Sequence, residues 1–268
     1  MHVHFLDPYR PRRSPIHNLD ARVKFVLTLA FIFCVALTPF GAWPIYILLF
    51  ALILSVEVLS ELGVVYVLKR AALAFPFVLA ALPVIFTIPG EAIFTLSPGP
   101  WTLTASLPGL ERFLSIAVKS WISVQAAIVL AATTSFPDLL LAMRAVRIPR
   151  LLVAIFGLMW RYLFVLVDEV LRLLRARAAR SGISDDSKLK TGGTLTWRAR
   201  VAGGMAGSLF LRGLERSDRI YMAMVSRGYD GEVRAMPLPG LKPIHWVVLS
   251  CGIGVLSLLL MISFLLWS

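Results

Sequence analysis

Residues Trp246–Trp267 read WVVLSCGIGVLSLLLMISFLLW, a run with no charged side chain and a tryptophan at each end. A bilayer core about 30 Å thick is crossed by roughly 20 apolar residues in helical form. The two indoles suit the interfaces, where one ring edge is dry and the other wet. This stretch is a membrane span, and it sets the class of the whole chain. Composition agrees: 58% of the 268 residues are hydrophobic and the mean hydropathy is +0.81, too apolar for a soluble domain of this size.

Working back from that span, residues 136–245 carry 18 of the 27 Lys and Arg but only nine of the 15 acidic residues. Such a basic region belongs on the cytoplasmic side. Within it, 151–170 is apolar enough to resemble a further span. Its Leu, Ile, Val and Phe favour insertion by about 0.3–0.6 kcal/mol each, and a central Arg161 opposes it by roughly 2.5–3.5 kcal/mol. Hydropathy leaves a near tie, which parity breaks, because a crossing here would translocate every Lys and Arg from Arg172 to Lys242. Arg161, Asp168, Arg172 and Arg175 also share one helical stripe. The expectation is an amphipathic helix over about 150–180. A polar loop should follow over Gly182–Thr196, then a second helix over roughly Gly204–Ser226, with Glu215 and Arg219 paired at i,i+4 spacing.

The N-terminal part reads as four spans. The leader, residues 1–24, holds Arg10, Arg12, Arg13, Arg22 and Lys24 and stays cytoplasmic. No cleavable signal is expected, since the first apolar stretch lacks an obvious small-residue cleavage site and reads as a span that stays. Spans are expected over Lys24–Thr38, from the end of a short turn at Pro39–Trp43 to about Val56, over Ala71–Ile88 and over Phe113–Thr134. Glu57, Glu61, Lys69 and Arg70 should form a cytoplasmic loop, and the Pro- and Gly-rich 89–110 an outside loop. Pro76 and Pro83 should kink the third span. Lys119, inside the fourth, either snorkels to the outer interface or lines a polar path between helices. The fold class is therefore an all-α integral membrane protein. It has about five transmembrane helices and a cytoplasmic pair of long amphipathic helices inserted before the last span. Domains fall at 1–135, 136–245 and 246–268, and the surroundings are a lipid bilayer.

Catalytic patterns are missing from the sequence. There is no GxxxxGK[ST] to cradle phosphates and no HExxH. His2 and His4 read as incidental residues of a terminus, so neither a metal site nor a cofactor is expected. Cys34 and Cys251 lie in different apolar segments and read as packing residues rather than a bridge. No nucleic-acid motif accompanies the basic charge. The informative pattern is a pair of similar helix endings, Ala179-Arg180-Ser181 before Gly182 and Ser226-Arg227-Gly228. Arg favours the negative end of the helix dipole and Gly stops a helix. The same geometry also lets a helix tip enter a groove, where the guanidinium forks onto a carboxylate.

Four stretches resemble the transmembrane coupling (T) component of energy-coupling-factor transporters, in particular the cobalt-type permease family CbiQ. They are HVHFLDPYRPRR (2–13), LDARVK (19–24), FPDLLLAMRAVRIPRLLVAIFGLMWRYLFVLVDE (136–169) and the two tripeptides. The tripeptides match the family's Ala-Arg-Gly-type signatures, with Ser181 for Gly and Ser226 for Ala. The resemblance implies a non-catalytic subunit that passes ATP-driven motion of a partner ABC-type ATPase homodimer to a substrate-capturing membrane subunit. A small accessory membrane subunit is also implied. Ala179, Arg180, Ser181, Ser226, Arg227 and Gly228 would touch the ATPase, and the cargo would be cobalt. Alternatives are a nickel or vitamin transporter of the same kind, or a basic scaffold on anionic lipid.

Overall fold

The computed structural model describes residues 8–90, 92–96, 103–180, 194–230 and 240–267. Contacts divide the chain into two compact units, one built on His4–Val146 with Leu238–Ser268 and the other on Arg147–Pro237.

In the first unit, Ser14 caps a short helix α1 (Pro15–Asn18), accepting from the His17 amide at 3.3 Å. The His17 ring also lies 2.7 Å from the Ser14 hydroxyl and 3.0 Å from the Arg10 carbonyl oxygen, tying the leader back on itself. Burial lowers the His17 pKa from its ordinary value. Asp20 caps α2 (Ala21–Leu37). A tight turn with Gly41 at φ +83°, a conformation suited to glycine, leads into α3 (Trp43–Leu59).

The chain then departs from the sequence reading. Residues 64–71 are a helix, α4 (Val64–Ala71), rather than a loop, and Glu57 is fully buried within α3. The expected third span over 71–88 is not one helix. It is a 3₁₀ turn (Ala72–Ala74), α5 (Phe75–Leu79) and α6 (Val84–Thr87). Pro76 and Pro83 each remove a backbone donor and crowd the preceding turn, and here they break the helix where a kink was expected. Next comes a two-stranded antiparallel hairpin, β1 (Ala92–Leu96) and β2 (Leu103–Ser106), irregular between Ala92 and Phe94, where a loop was expected.

Ser106 then caps α7 (Leu107–Thr133), accepting from the Gly109 amide at 3.1 Å. Ser135 caps α8 (Phe136–Ala145) in the same manner. The C-terminal α11 (Pro243–Trp267), numbered after the two helices described below, packs on α2, as do α7 and α8. At the α2–α11 crossing Gly252 meets Leu27 so closely that a Cβ would sit 2.6 Å from a Leu27 methyl carbon. The core joins Val35 of α2, Leu49 of α3, Val67 of α4, Ile122 of α7 and Leu256 of α11. Both cysteines are free thiols; Cys34 is buried, as expected of a packing residue, whereas Cys251, also expected to be buried, is exposed.

The second unit is two helices of 31 residues each, α9 (Arg150–Arg180) and α10 (Leu195–Val225). The chain turns into α9 at Arg147, whose φ is +64°. Thr194 caps α10 by accepting from the Trp197 amide at 3.3 Å, nine residues before the expected start at Gly204. Gly203 and Gly204 lie inside the helix, with nothing beyond the helix's own neighbouring backbone within 4 Å of where a Cβ would stand. The polar stretch expected as a loop lies mostly outside the described residues.

Among the described residues, three helices are long and apolar enough to cross a membrane by length and composition: α7, α9 and α11. The apolar α3 is shorter, at 17 residues. The molecule is an all-α integral membrane protein bearing one small hairpin. That α9 qualifies as a span matches its near tie in hydropathy.

Candidate functional site

The second unit is organised around the place where its two helices meet. Leu166 and Val170 of α9 and Leu209, Phe210, Gly213 and Leu214 of α10 line a cavity of about 330 Å³ there. Beside it Glu169 serves two arginines of α10. Oε1 accepts from Arg212 Nη1 at 3.1 Å, and Oε2 lies 3.5 Å from Arg216 Nη2. The Glu169 side chain is 15% exposed, against 55% for Arg212 and 33% for Arg216. A half-dry carboxylate holding two cations ties the helices at this level more firmly than a fully solvated pair would. Glu215 and Arg219, expected to pair with each other, form no ion pair among the described residues. Arg212 and Arg216, one turn apart, instead bond across to α9.

From this clamp each helix runs out to one of the arginines singled out in the sequence. Arg180 is the last residue of α9, eleven residues or about 16 Å beyond Glu169. Arg227 lies fifteen residues or about 22 Å beyond Arg212. Ala179, Arg180, Ser226, Arg227 and Gly228 are all exposed. Ser181 lies outside the described residues.

The second ending is fully specified by its backbone. Gly228 has φ +81°. Its amide donates to the Val225 carbonyl at 2.9 Å, and the Tyr229 amide reaches back to the Met224 carbonyl at 3.1 Å. That is a Schellman stop with glycine at the left-handed position. It leaves Arg227 as the exposed residue at the helix tip, with no ion pair among the described residues.

Neither α9 nor α10 has a single buried residue. Large apolar side chains such as Leu151, Met159, Phe210 and Met222 stand exposed on them. Polar tips and apolar flanks on one helical pair form a surface shaped for other molecules.

Three buried polar residues in the first unit, Lys119, Glu57 and Gln125, add to what the sequence showed. Lys119 does not snorkel, being only 9% exposed. Its ammonium donates to the carbonyl oxygens of Thr38 and, at 3.4 Å, Ala36, and lies 4.5 Å from the centre of the Phe40 ring. It caps the C-terminus of α2, where a cation suits the helix dipole. Among the described residues, neither carboxylate oxygen of Glu57 has a hydrogen-bond partner, nor does either side-chain amide atom of Gln125. Neither burial is legible in the sequence, since each depends on how α3 and α7 pack. Among the described residues no group of three or more His, Cys, Asp or Glu is placed to hold a metal ion.

The fold and this surface define a helical membrane protein that presents a crossed, basic helix pair. The chain belongs to the CbiQ family, described as cobalt transport protein, whose model matches residues 12–238. It is 27% identical to the cobalt transport protein CbiQ of Rhodobacter capsulatus, over 65% of this chain and 68% of that one. It is also 27% identical to the energy-coupling factor transporter transmembrane protein EcfT of Thermosediminibacter oceani, over 83% of both. The EcfT of Ruminiclostridium cellulolyticum is 26% identical over 92% of this chain and 91% of its own. This is a membrane component of a transport system.

Proposed function

We propose that this protein is the coupling subunit of an ATP-driven energy-coupling-factor transporter that takes up cobalt. The observation that carries the reading is the clamped helix pair ending in exposed Arg180 and Arg227, in a chain that matches the CbiQ family over nearly its whole length. Residues 136–245 are its coupling domain, and they and the N-terminus face the cytoplasm, where the basic charge stays untranslocated. Ala179, Arg180, Ser181, Ser226, Arg227 and Gly228 dock into grooves of a partner ATPase homodimer. Each arginine forks onto a carboxylate there. Closure of that dimer moves the tips, and the helices carry the motion to a substrate-capturing membrane subunit. Hydrolysis belongs to the partner, since this chain has no phosphate-binding loop.

The test is pull-down of the ATPase, with metal uptake, in membranes holding matched amounts of each variant. Removing one partner of a desolvated charge pair costs about 2–5 kcal/mol, enough to weaken assembly by at least thirtyfold. Arg180→Glu and Arg227→Glu should therefore lose the ATPase or lose uptake, and the double variant should be worse. Arg175→Glu, on α9 before the tip, should behave as wild type. Normal recovery and uptake for both tip variants would return these arginines to a helix-capping role. Nickel in place of cobalt as the metal carried would correct the cargo and leave the coupling role standing.

A further inference from the structure

The first unit contains an apolar groove of about 510 Å³ that the coupling role does not use. Leu27 and Phe31 of α2, Ile53 of α3, Val129 of α7 and Val248 and Cys251 of α11 form its walls. Ile16 and Leu19 of the leader line it too, together with Lys24 and Thr133, which lie at the N-terminal end of α2 and the C-terminal end of α7.

Three features say what belongs in it. The first is shape. The lining follows α11 from Val247 to Leu256, about 13 Å of helix, so the groove is an elongated apolar strip along the helix, the form an extended hydrocarbon chain takes. The second is chemistry: apart from Lys24 the lining has no charge, and a cavity walled by aliphatic side chains does not hold water stably. The third is charge around the leader end. Residues 8–24 carry five cations, Arg10, Arg12, Arg13, Arg22 and Lys24, against the one carboxylate of Asp20.

These cations are differently engaged. Arg22 lies 3.6 Å from Asp20, and the Arg10 guanidinium stacks 3.7 Å from the centre of the Tyr66 ring. Lys24 donates to the Thr133 carbonyl at 2.9 Å, which leaves two of its three N–H groups for another acceptor. Asp138, whose charge also reaches Lys24, accepts from the Ser135 hydroxyl at 2.6 Å. Arg12 and Arg13 are exposed and make no ion pair among the described residues.

We infer that the groove is a binding site for an anionic phospholipid, its acyl chain along α2 and α11 and its phosphate among Lys24, Arg12 and Arg13. The inference rests on the membrane fold alone and stands or falls separately from the coupling role.

The full-length chain, purified and stripped of lipid, would be titrated with dioleoyl phosphatidylglycerol and with dioleoyl phosphatidylcholine, reading bound lipid by native mass spectrometry. One phosphatidylglycerol per chain should bind at least tenfold more tightly than phosphatidylcholine. Each Lys or Arg near an anionic surface contributes a factor of about five. The double change Arg12→Gln and Arg13→Gln should therefore cut the preference by on the order of twentyfold, to near parity. Both side chains are exposed, so folding is not at stake. Cys251→Trp, which fills the groove, should reduce binding of both lipids. Equal affinity of the wild-type chain for the two lipids would overturn the proposal, as would an unchanged preference in the arginine variant. Cross-linking through Cys251 to a copurifying polypeptide would overturn it as well, by giving the groove to a protein segment.

Discussion

Glu169→Gln keeps the size of the side chain and removes the charge that α10 grips. Arg212 sits 3.1 Å away but is 55% exposed, which places that pair near the top of the 0.2–1 kcal/mol range for solvated bridges rather than above it. Arg216 at 3.5 Å adds about half as much, with its buried Nη1 already lacking a partner. The clamp is thus worth about 1.5 kcal/mol, close to a factor of ten in any equilibrium between a crossed and a loosened pair. Spin labels on cysteines replacing Ala179 and Ser226 report the separation of the two tips. Cys251→Ala provides the background, because Cys34 is buried and will not label. If the loosened form holds about 1% of wild type, Glu169→Gln should raise it to about 10%, seen as a second distance or a broadened one. Arg212→Gln should cause a smaller change and add little on top of Glu169→Gln, since both remove the same contact. Superimposable distance distributions for wild type and Glu169→Gln would refute the clamp as a determinant of tip geometry.

Two further outcomes follow from caps. Lys119→Met leaves the buried Thr38 carbonyl without its donor and should cost about 1–3 kcal/mol in denaturant unfolding; a change below about 0.3 kcal/mol would show that the cap is dispensable. Gly228→Ala forces a Cβ into a φ of +81° and should cost about 1–2 kcal/mol locally. It should weaken ATPase recovery while Arg227 itself is unchanged, and full recovery would mean that the Schellman stop does not set the tip.

The sequence made long apolar helices legible wherever an uninterrupted run outlasted its flanking charges. Residues 21–37, 43–59 and 243–267 are helical close to where hydropathy placed them, and 107–133 begins six residues before the expected Phe113. Residues 71–88 defeated the same logic because hydropathy counts apolar side chains and is blind to a missing backbone donor, which Pro76 and Pro83 both impose. Arg180 and Arg227 could be picked out because a helix end is a local event written in neighbouring residues. Glu169 could not, for its partners lie 43 and 47 residues away and meet it only once two helices have crossed. Lys119 is the same case: a cation in an apolar run announces a problem, and only the packing of α2 on α7 supplies the answer.

Two helices of 31 residues without one buried side chain have a consequence for the life of the protein in the cell. Their order is underwritten by whatever covers them, so their stability rises with the logarithm of partner concentration. A chain made in excess of its partners offers exposed leucines and basic tails to proteases and chaperones. In the proposed complex, a short supply of the other subunits should therefore shorten the life of a new copy.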